Sequence, residues 1–214
     1  MARAQTKQRK GRRSTISRLR SSERRRPGRR TMAGRKAADG FSRAQPSEEA
    51  QNVYIVGLRN AHALEKQAIE IMERQVGRLT HYPQLAKRLR SHIRETQDQL
   101  RRLDQILEAN EASSSTVKDV ALQTLGNMTA LSNAMAGDEI LKNTFADFAF
   151  EHYEIAAYKS LIALAQLQRD RKALPLLKAS LREEEQMATW LDENIQSVTA
   201  TYVERERKDL QANR

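Results

Sequence analysis

The chain has 214 residues, carries a net charge of +11 and contains no cysteine. Disulfides, thiolate zinc sites and thiol nucleophiles are excluded together, and any metal must be held by oxygen and nitrogen ligands. No run of eighteen apolar residues occurs and the N-terminus lacks the apolar stretch of a secretory signal, so the sequence predicts a cytoplasmic protein that stays off the membrane.

Charge divides the chain in two. Residues 1–46 hold 16 Lys and Arg against only Glu23 and Asp39, a net of +14, so residues 47–214 carry −3. The basic segment has almost no apolar periodicity and repels itself in any compact state, which predicts a disordered tail. Its arginines cluster at Arg12 and Arg13, at Arg24, Arg25 and Arg26, and at Arg29 and Arg30. Guanidinium forks match phosphate oxygens and their binding releases counterions, so these positions predict contact with a DNA or RNA backbone without sequence preference. Only Phe41 is available to stack on a base. A solvated tail serving solubility, or a transit peptide, has a similar composition.

From Pro46, Ser47, Glu48 and Glu49, a helix start with acids in its first turn, the chain reads as helix almost throughout. Pro83, the polar stretch 110–116, Gly126, Gly137 and Pro175 interrupt it. They predict helices over 48–80, 84–109, 138–168 and 172–204, with a shorter helical connection over 117–135. Two joints are short, which makes antiparallel hairpins of helices 1 and 2 and of helices 3 and 4. The middle joint is nearly thirty residues long, the crossover that a ferritin-like bundle requires. The expected fold is all-α: a ferritin-like four-helix bundle over 47–214 with a long crossover between helices 2 and 3, preceded by the tail. The apolar positions Leu122, Leu125, Met128, Leu131 and Met135 of the connection suggest an oligomer contact or a cover over one end of the bundle.

Helix 1 carries Tyr54, Leu58, Ala61, Glu65, Ala68, Met72 and Leu79 on one stripe, and helix 4 carries Leu174, Leu177, Leu181, Glu184, Ala188, Leu191 and Ile195. Each stripe points one carboxylate inward. Helix 2 sets Leu85, Leu89, His92, Thr96, Leu103 and Leu107 on its apolar face with Glu95 at the edge. Helix 3 is apolar almost all round, which predicts deep burial, yet it contains Glu151, His152 and Glu154. Glu65 and Glu95 are thirty residues apart, as are Glu154 and Glu184. Buried carboxylates are costly unless something positive neutralises them, so a cluster of them asks for protons, basic partners or metal ions.

Four inward carboxylates with one or two imidazoles suit a pair of hard cations, iron or manganese, bridged by carboxylate oxygens. The Glu-x-x-His pairs usual in such bundles are absent, because Asp98 follows Glu95 and Met187 follows Glu184 at that spacing. Nitrogen ligands must then come from His92 and His152. Any one of these residues alone reads more readily as the boundary of a narrow core; the matched spacing and the crossover favour a metal site. His62 is expected beside the site, His81 in a loop, and Glu183 and Glu185 on a solvated face. Tyr153 and Tyr158 are candidate one-electron relays.

These residues resemble the YciE/YciF-type ferritin-like family. The carriers are AHALEKQAIEIM around Glu65, SHIRETQDQLRRLDQIL around His92 and Glu95, EHYEIAAYKSLIALA around Glu151, His152 and Glu154, and LLKASLREEEQMATWL around Glu184. The resemblance covers residues 50–200 and implies a ferritin-like bundle, often dimeric, associated with stress responses and di-iron chemistry. It implies metal ligation by Glu65, Glu95, Glu151, Glu154 and Glu184 with His92 and His152 beside them. The expected function is iron binding and oxidation, as a ferroxidase or a consumer of peroxide. The alternative is a non-catalytic helical protein that binds DNA or RNA through its tail.

Overall fold

The computed structural model describes residues 46–113 and 139–212. The arginine clusters of the tail and the expected 117–135 helix, with its five apolar positions, lie outside the described residues. The described residues form four helices: α1 (Glu48–Val76), α2 (Pro83–Ala109), α3 (Glu139–Leu167) and α4 (Ala173–Arg207). Among the described residues there is no strand, and no helix is long and apolar enough to cross a membrane.

The ends follow local chemistry. Ser47 Oγ accepts from Ala50 N at 3.2 Å and caps α1, whose first turn holds Glu48 and Glu49. Pro83 occupies the first turn of α2, where its missing N–H costs nothing. α1 ends at Val76, four residues before the position expected from sequence, because the chain turns at Gly77 to seat Leu79 and Tyr82 in the core. At the other end Asp170 collects three elements. Its carboxylate accepts from Tyr54 of α1 (3.3 Å), from Asn110 beyond α2 (3.1 Å) and from the backbone of Ala173 opening α4 (3.0 Å).

Cross-helix pairs define the topology. Gly57 faces Leu161, Glu65 meets Tyr158, Gln75 meets Asp147 and Arg78 meets Glu139, so α1 and α3 run antiparallel. A Cβ at Gly57 would stand 3.0 Å from Leu161 Cδ2, so the missing side chain is what lets these helices approach. Gln99 meets Glu184 and Arg102 meets Ser180, so α2 and α4 are antiparallel as well. Consequently α2 ends and α3 begins at opposite ends of the bundle. This order of helices is that of a ferritin-like bundle and not of one built from hairpin turns alone.

The stripes read on α1 and α2 are the core. Tyr54, Leu58, Leu89, Leu103 and Leu107 are essentially inaccessible. Deep burial of α3 does not hold. Its outer face exposes Phe145 and Tyr153, 45% and 47% accessible, while its inner face buries Thr144, Asp147, Glu151, Glu154 and Tyr158. Its buried side mixes these polar residues with Ile140, Phe150, Ile155, Leu161 and Ala165 while large apolar residues also lie outside, which cancels the amphipathic signal along its length.

Candidate metal centre

The apolar core falls into two clusters. One gathers Met72, Leu79, Tyr82, Leu89, Phe150 and Leu191 towards the α1–α2 turn, and the other gathers Tyr54, Leu58, Leu103, Leu107, Leu161 and Leu177 towards the α3–α4 turn. Between them lies a polar layer to which every helix contributes: Glu65 from α1, His92, Thr96 and Gln99 from α2, Glu151 and Glu154 from α3, and Glu184 from α4. None of these seven is more than 3% accessible.

His92 is the pivot. Its Nδ1 lies 2.8 Å from Glu95 Oε2, and its Nε2 lies 3.3 Å from Glu151 Oε2 and 3.4 Å from Glu184 Oε2. One donor atom from each of His92, Glu151 and Glu184 falls within 4.8 Å of the others, so this group can hold a metal ion. Around it, Tyr158 donates to Glu65 Oε1 at 2.6 Å. Gln99 Nε2 donates to Glu184 Oε1 and, at 3.1 Å, to Glu183 Oε2. Arg102 grips Glu183 with two bonds of 2.7 and 2.8 Å and also reaches Ser180 Oγ, which holds the adjoining turn of α4 in place.

Electrostatics turn this geometry into a demand for positive charge. Burial pushes the Glu65 carboxyl well above its ordinary range, and the charge of Glu184 pushes it further. Burial raises Glu154 likewise, helped by the charges of Glu65, Glu184 and Glu151. Burial lifts Glu184 to about 7 although His92 opposes the shift. For His92, burial disfavours the cation, but the surrounding carboxylates, Glu151 foremost, hold its pKa well above the imidazole range. Without a metal, the layer must therefore hold protons. Among the described residues, Glu65 Oε2 and Glu154 Oε1 are buried without a hydrogen-bond partner, and Glu151 Oε2 and Glu184 Oε2 have only the long contacts to His92 Nε2. Such oxygens beside one imidazole are costly as they stand and form a donor set that suits a hard divalent cation. The residues fit a metal ion.

Not every sequence-predicted ligand converges. Glu65, His92, Glu151, Glu154 and Glu184 share the layer. Glu95 is half-buried at its rim, paired with Arg88 at 3.0 Å, and joins the layer only through His92. Although burial opposes it, hydrogen bonds from His92 and Arg88 lower its pKa to about 2. His152 stands outside. It is exposed and lies edge-on to Phe148, with ring centroids 4.6 Å apart, in a groove shared with Lys159, Glu185 and Asp192. One residue beyond Glu151, its side chain is rotated by about 100° from the inward face. His62 pairs with Asp104 at 3.1 Å away from the layer, and Tyr153 is exposed, whereas Tyr158 touches Glu65. Gln99, Ser180, Gln75 and Asp147 escaped the sequence reading. Their burial face was legible from helical spacing, but their partners lie on other helices.

The model of the family described as "Domain of unknown function (DUF892)" matches residues 49–204. Protein YciF of Escherichia coli (strain K12) is 30% identical over 141 residues, covering 63% of this chain and 82% of its own. Among solved structures, a protein from Xanthomonas campestris pv. campestris superposes with a TM-score of 0.63 at 28% identity, covering 74% of this chain and 99% of that one. The E. coli stress protein YciF gives a TM-score of 0.60 at 26% identity, covering 70% and 96%. The family match over most of the chain, the relative and the shared architecture agree: this chain belongs to the DUF892 family, with YciF among its relatives.

Proposed function

We propose that this protein binds iron in its polar layer and oxidises it, consuming dioxygen or peroxide in a protective, stress-related role. The observation that carries the reading is the buried group of His92, Glu151 and Glu184, whose donor atoms lie within 4.8 Å of one another, with the unpartnered Glu65 Oε2 and Glu154 Oε1 in the same layer. Iron bound there supplies the electrons that reduce the oxidant.

The chain's own groups do the rest. Glu65, Glu151, Glu154, Glu184 and His92 would hold the metal, and manganese suits the same oxygen-rich donors. Glu95 accepts from His92 Nδ1 and so leaves Nε2 directed at the layer. Tyr158 orients Glu65. Gln99 orients Glu184 while Arg102 fixes the neighbouring Glu183. The two flanking apolar clusters exclude water along the bundle axis. Protons displaced from Glu65, Glu154 and His92 leave as metal binds.

Anaerobic reconstitution of the full chain with Fe(II), followed by metal analysis and oxygen or peroxide consumption, tests this. About two irons per chain, with oxidation lost in Glu65→Ala, is the expected result. No iron above background would overturn it.

The separation of charge supports a second role compatible with the first. A tail of +14 attached to a body of −3 suits attachment to DNA or RNA. Replacing Arg12, Arg13, Arg24, Arg25, Arg26, Arg29 and Arg30 by Gln in the full chain should weaken duplex binding and flatten its salt dependence. Unchanged affinity would remove the tail from this role.

A further inference from the structure

A threonine inside a helix can return its hydroxyl to the carbonyl four residues earlier. Among the described residues five threonines lie in helices, and four of them do so. Thr144 donates to Ile140 O, Thr189 to Glu185 O, Thr199 to Ile195 O and Thr201 to Ser197 O, all at 2.7–2.9 Å. Thr96 does not. The residue is fully inaccessible on the face of α2 that carries His92 and Gln99, and its Oγ1 is buried with no partner.

Gln99 leaves a second atom open. Its Nε2 donates to Glu183 Oε2 at 3.1 Å and to Glu184 Oε1, which fixes the amide, because turned over it would set its oxygen against both carboxyl groups. Oε1 is therefore the atom left over, and it too is buried without a partner. Residues three apart on one helix are neighbours, with about 5–6 Å between their Cβ atoms. Helices α2 and α3 run parallel and His92 meets Glu151, so Thr96, four residues on, comes level with Glu154 and Ile155. Glu154 Oε1 is a third buried oxygen with no partner. A valine in place of Thr96 would fill the same space without the cost of an unused hydroxyl.

We infer that Thr96 Oγ1 and Gln99 Oε1 form the binding site for hydrogen peroxide within the polar layer; this rests on the reading of that layer as a metal centre that oxidises its iron. Thr96 donates to a peroxide oxygen, and Gln99 accepts from a peroxide O–H. One donor and one acceptor suit a molecule that is both. Neither group is charged, so a metal ion takes the carboxylates and the imidazole and leaves this pair to the oxygen ligand beside it.

The test compares the parent, Thr96→Val and Thr96→Ser as full-length proteins. Each is loaded with Co(II) and titrated with azide, a small anion that takes a hydrogen bond from the hydroxyl, with the visible absorption of the metal as readout. Thr96→Val should hold the parent's Co(II) content and keep or gain apo stability in urea, while azide binds about 10–100-fold more weakly, the loss of one hydrogen bond to a charged group. Thr96→Ser, which restores the hydroxyl, should stay close to the parent. With Fe(II) in place of Co(II), the half-saturating peroxide concentration should rise about tenfold in Thr96→Val, the loss of one hydrogen bond. Azide affinity or peroxide requirement equal to the parent's in folded Thr96→Val would overturn the inference and leave at most a structural water between the two atoms. A parent that loads Co(II) without responding to azide would overturn it as well. Lower Co(II) content in Thr96→Val would overturn it by making the hydroxyl a metal ligand, and a marked loss of apo stability by giving it a structural partner. No Co(II) uptake by the parent would overturn the metal reading, and this site with it.

Discussion

His92 and Glu95 stand one helical turn apart on α2, and the 2.8 Å contact between Nδ1 and Oε2 joins a buried imidazole to a carboxylate that reaches the surface. The pairing leaves Nε2 to face Glu151 and Glu184, and on the metal reading proposed above Glu95 acts on the layer through the ring. Glu95→Gln should therefore lower Mn(II) or Co(II) affinity by about 10–100-fold with no change in the number of ions bound. Competition titration measures this, and a loss of stoichiometry would instead make Glu95 a ligand.

Glu154 shows how function opposes stability in this core. It is buried to 1% accessibility, its Oε1 has no partner, and three neighbouring carboxylates raise its pKa. Glu154→Gln replaces a carboxyl that must stay protonated or repel its neighbours with a neutral amide of the same shape, so the metal-free protein should keep its stability or gain about 1–2 kcal/mol near and above neutrality. Metal binding should be lost or greatly weakened. Urea unfolding of the apo form beside a metal titration checks both halves; marked destabilisation would mean that Glu154 forms a structural bond absent from this arrangement.

The metal-free protein should lose stability as pH rises through neutrality. Glu65 and Glu154 hold protons well above their ordinary value of 4.5, Glu184 and Asp147 titrate at about 7, and His92 keeps its proton above 6.5. The folded state thus binds more protons than the unfolded chain in this range, and the slope is negative with increasing pH. Glu95 acts in the opposite sense, its contribution disappearing as pH falls from 4.5 towards 2. Apo stability should peak in mildly acidic solution, and saturating Mn(II) at pH ~8 should offset the loss. Thermal melts across pH with and without Mn(II) measure it. An apo stability that rises from pH ~6 to ~8 would contradict these proton positions.

Two tyrosines of α3 separate a role in the layer from a surface role. Tyr158 donates to Glu65 at 2.6 Å, whereas Tyr153 is 47% accessible. Tyr158→Phe leaves Glu65 Oε1 without its donor and should cost about 1–3 kcal/mol in apo stability, with weaker metal binding. Tyr153→Phe should change neither. Equal effects from the two would remove the Glu65 bond from the account.

A packing control comes from Leu58, which is inaccessible in the cluster opposite the α1–α2 turn. Leu58→Ala should cost about 2–5 kcal/mol while leaving metal stoichiometry intact in the folded protein. Loss of stoichiometry at equal folded fraction would show that this cluster is coupled to the layer.

Helical spacing alone was enough to place Glu65, His92 and Glu184 inward. Each interrupts an otherwise apolar stripe, and a 3.6-residue period leaves little choice of face once the stripe is defined. The long gap between α2 and α3, read beside two short joints, was likewise sufficient for the ferritin-like order of helices. Helix α3 offered no such stripe. Its apolar residues surround it, so periodicity could not say that Glu151 and Glu154 turn in while His152 turns out. That choice belongs to α1 and α4, which bury one side of α3 and leave Phe145 and Tyr153 exposed. Spacing had likewise set Glu95 at the edge of its face; only the tertiary structure brought Gln99, Tyr158 and Asp147 to their partners, because a helix's own sequence determines which residues share a face but not which neighbouring helix that face meets.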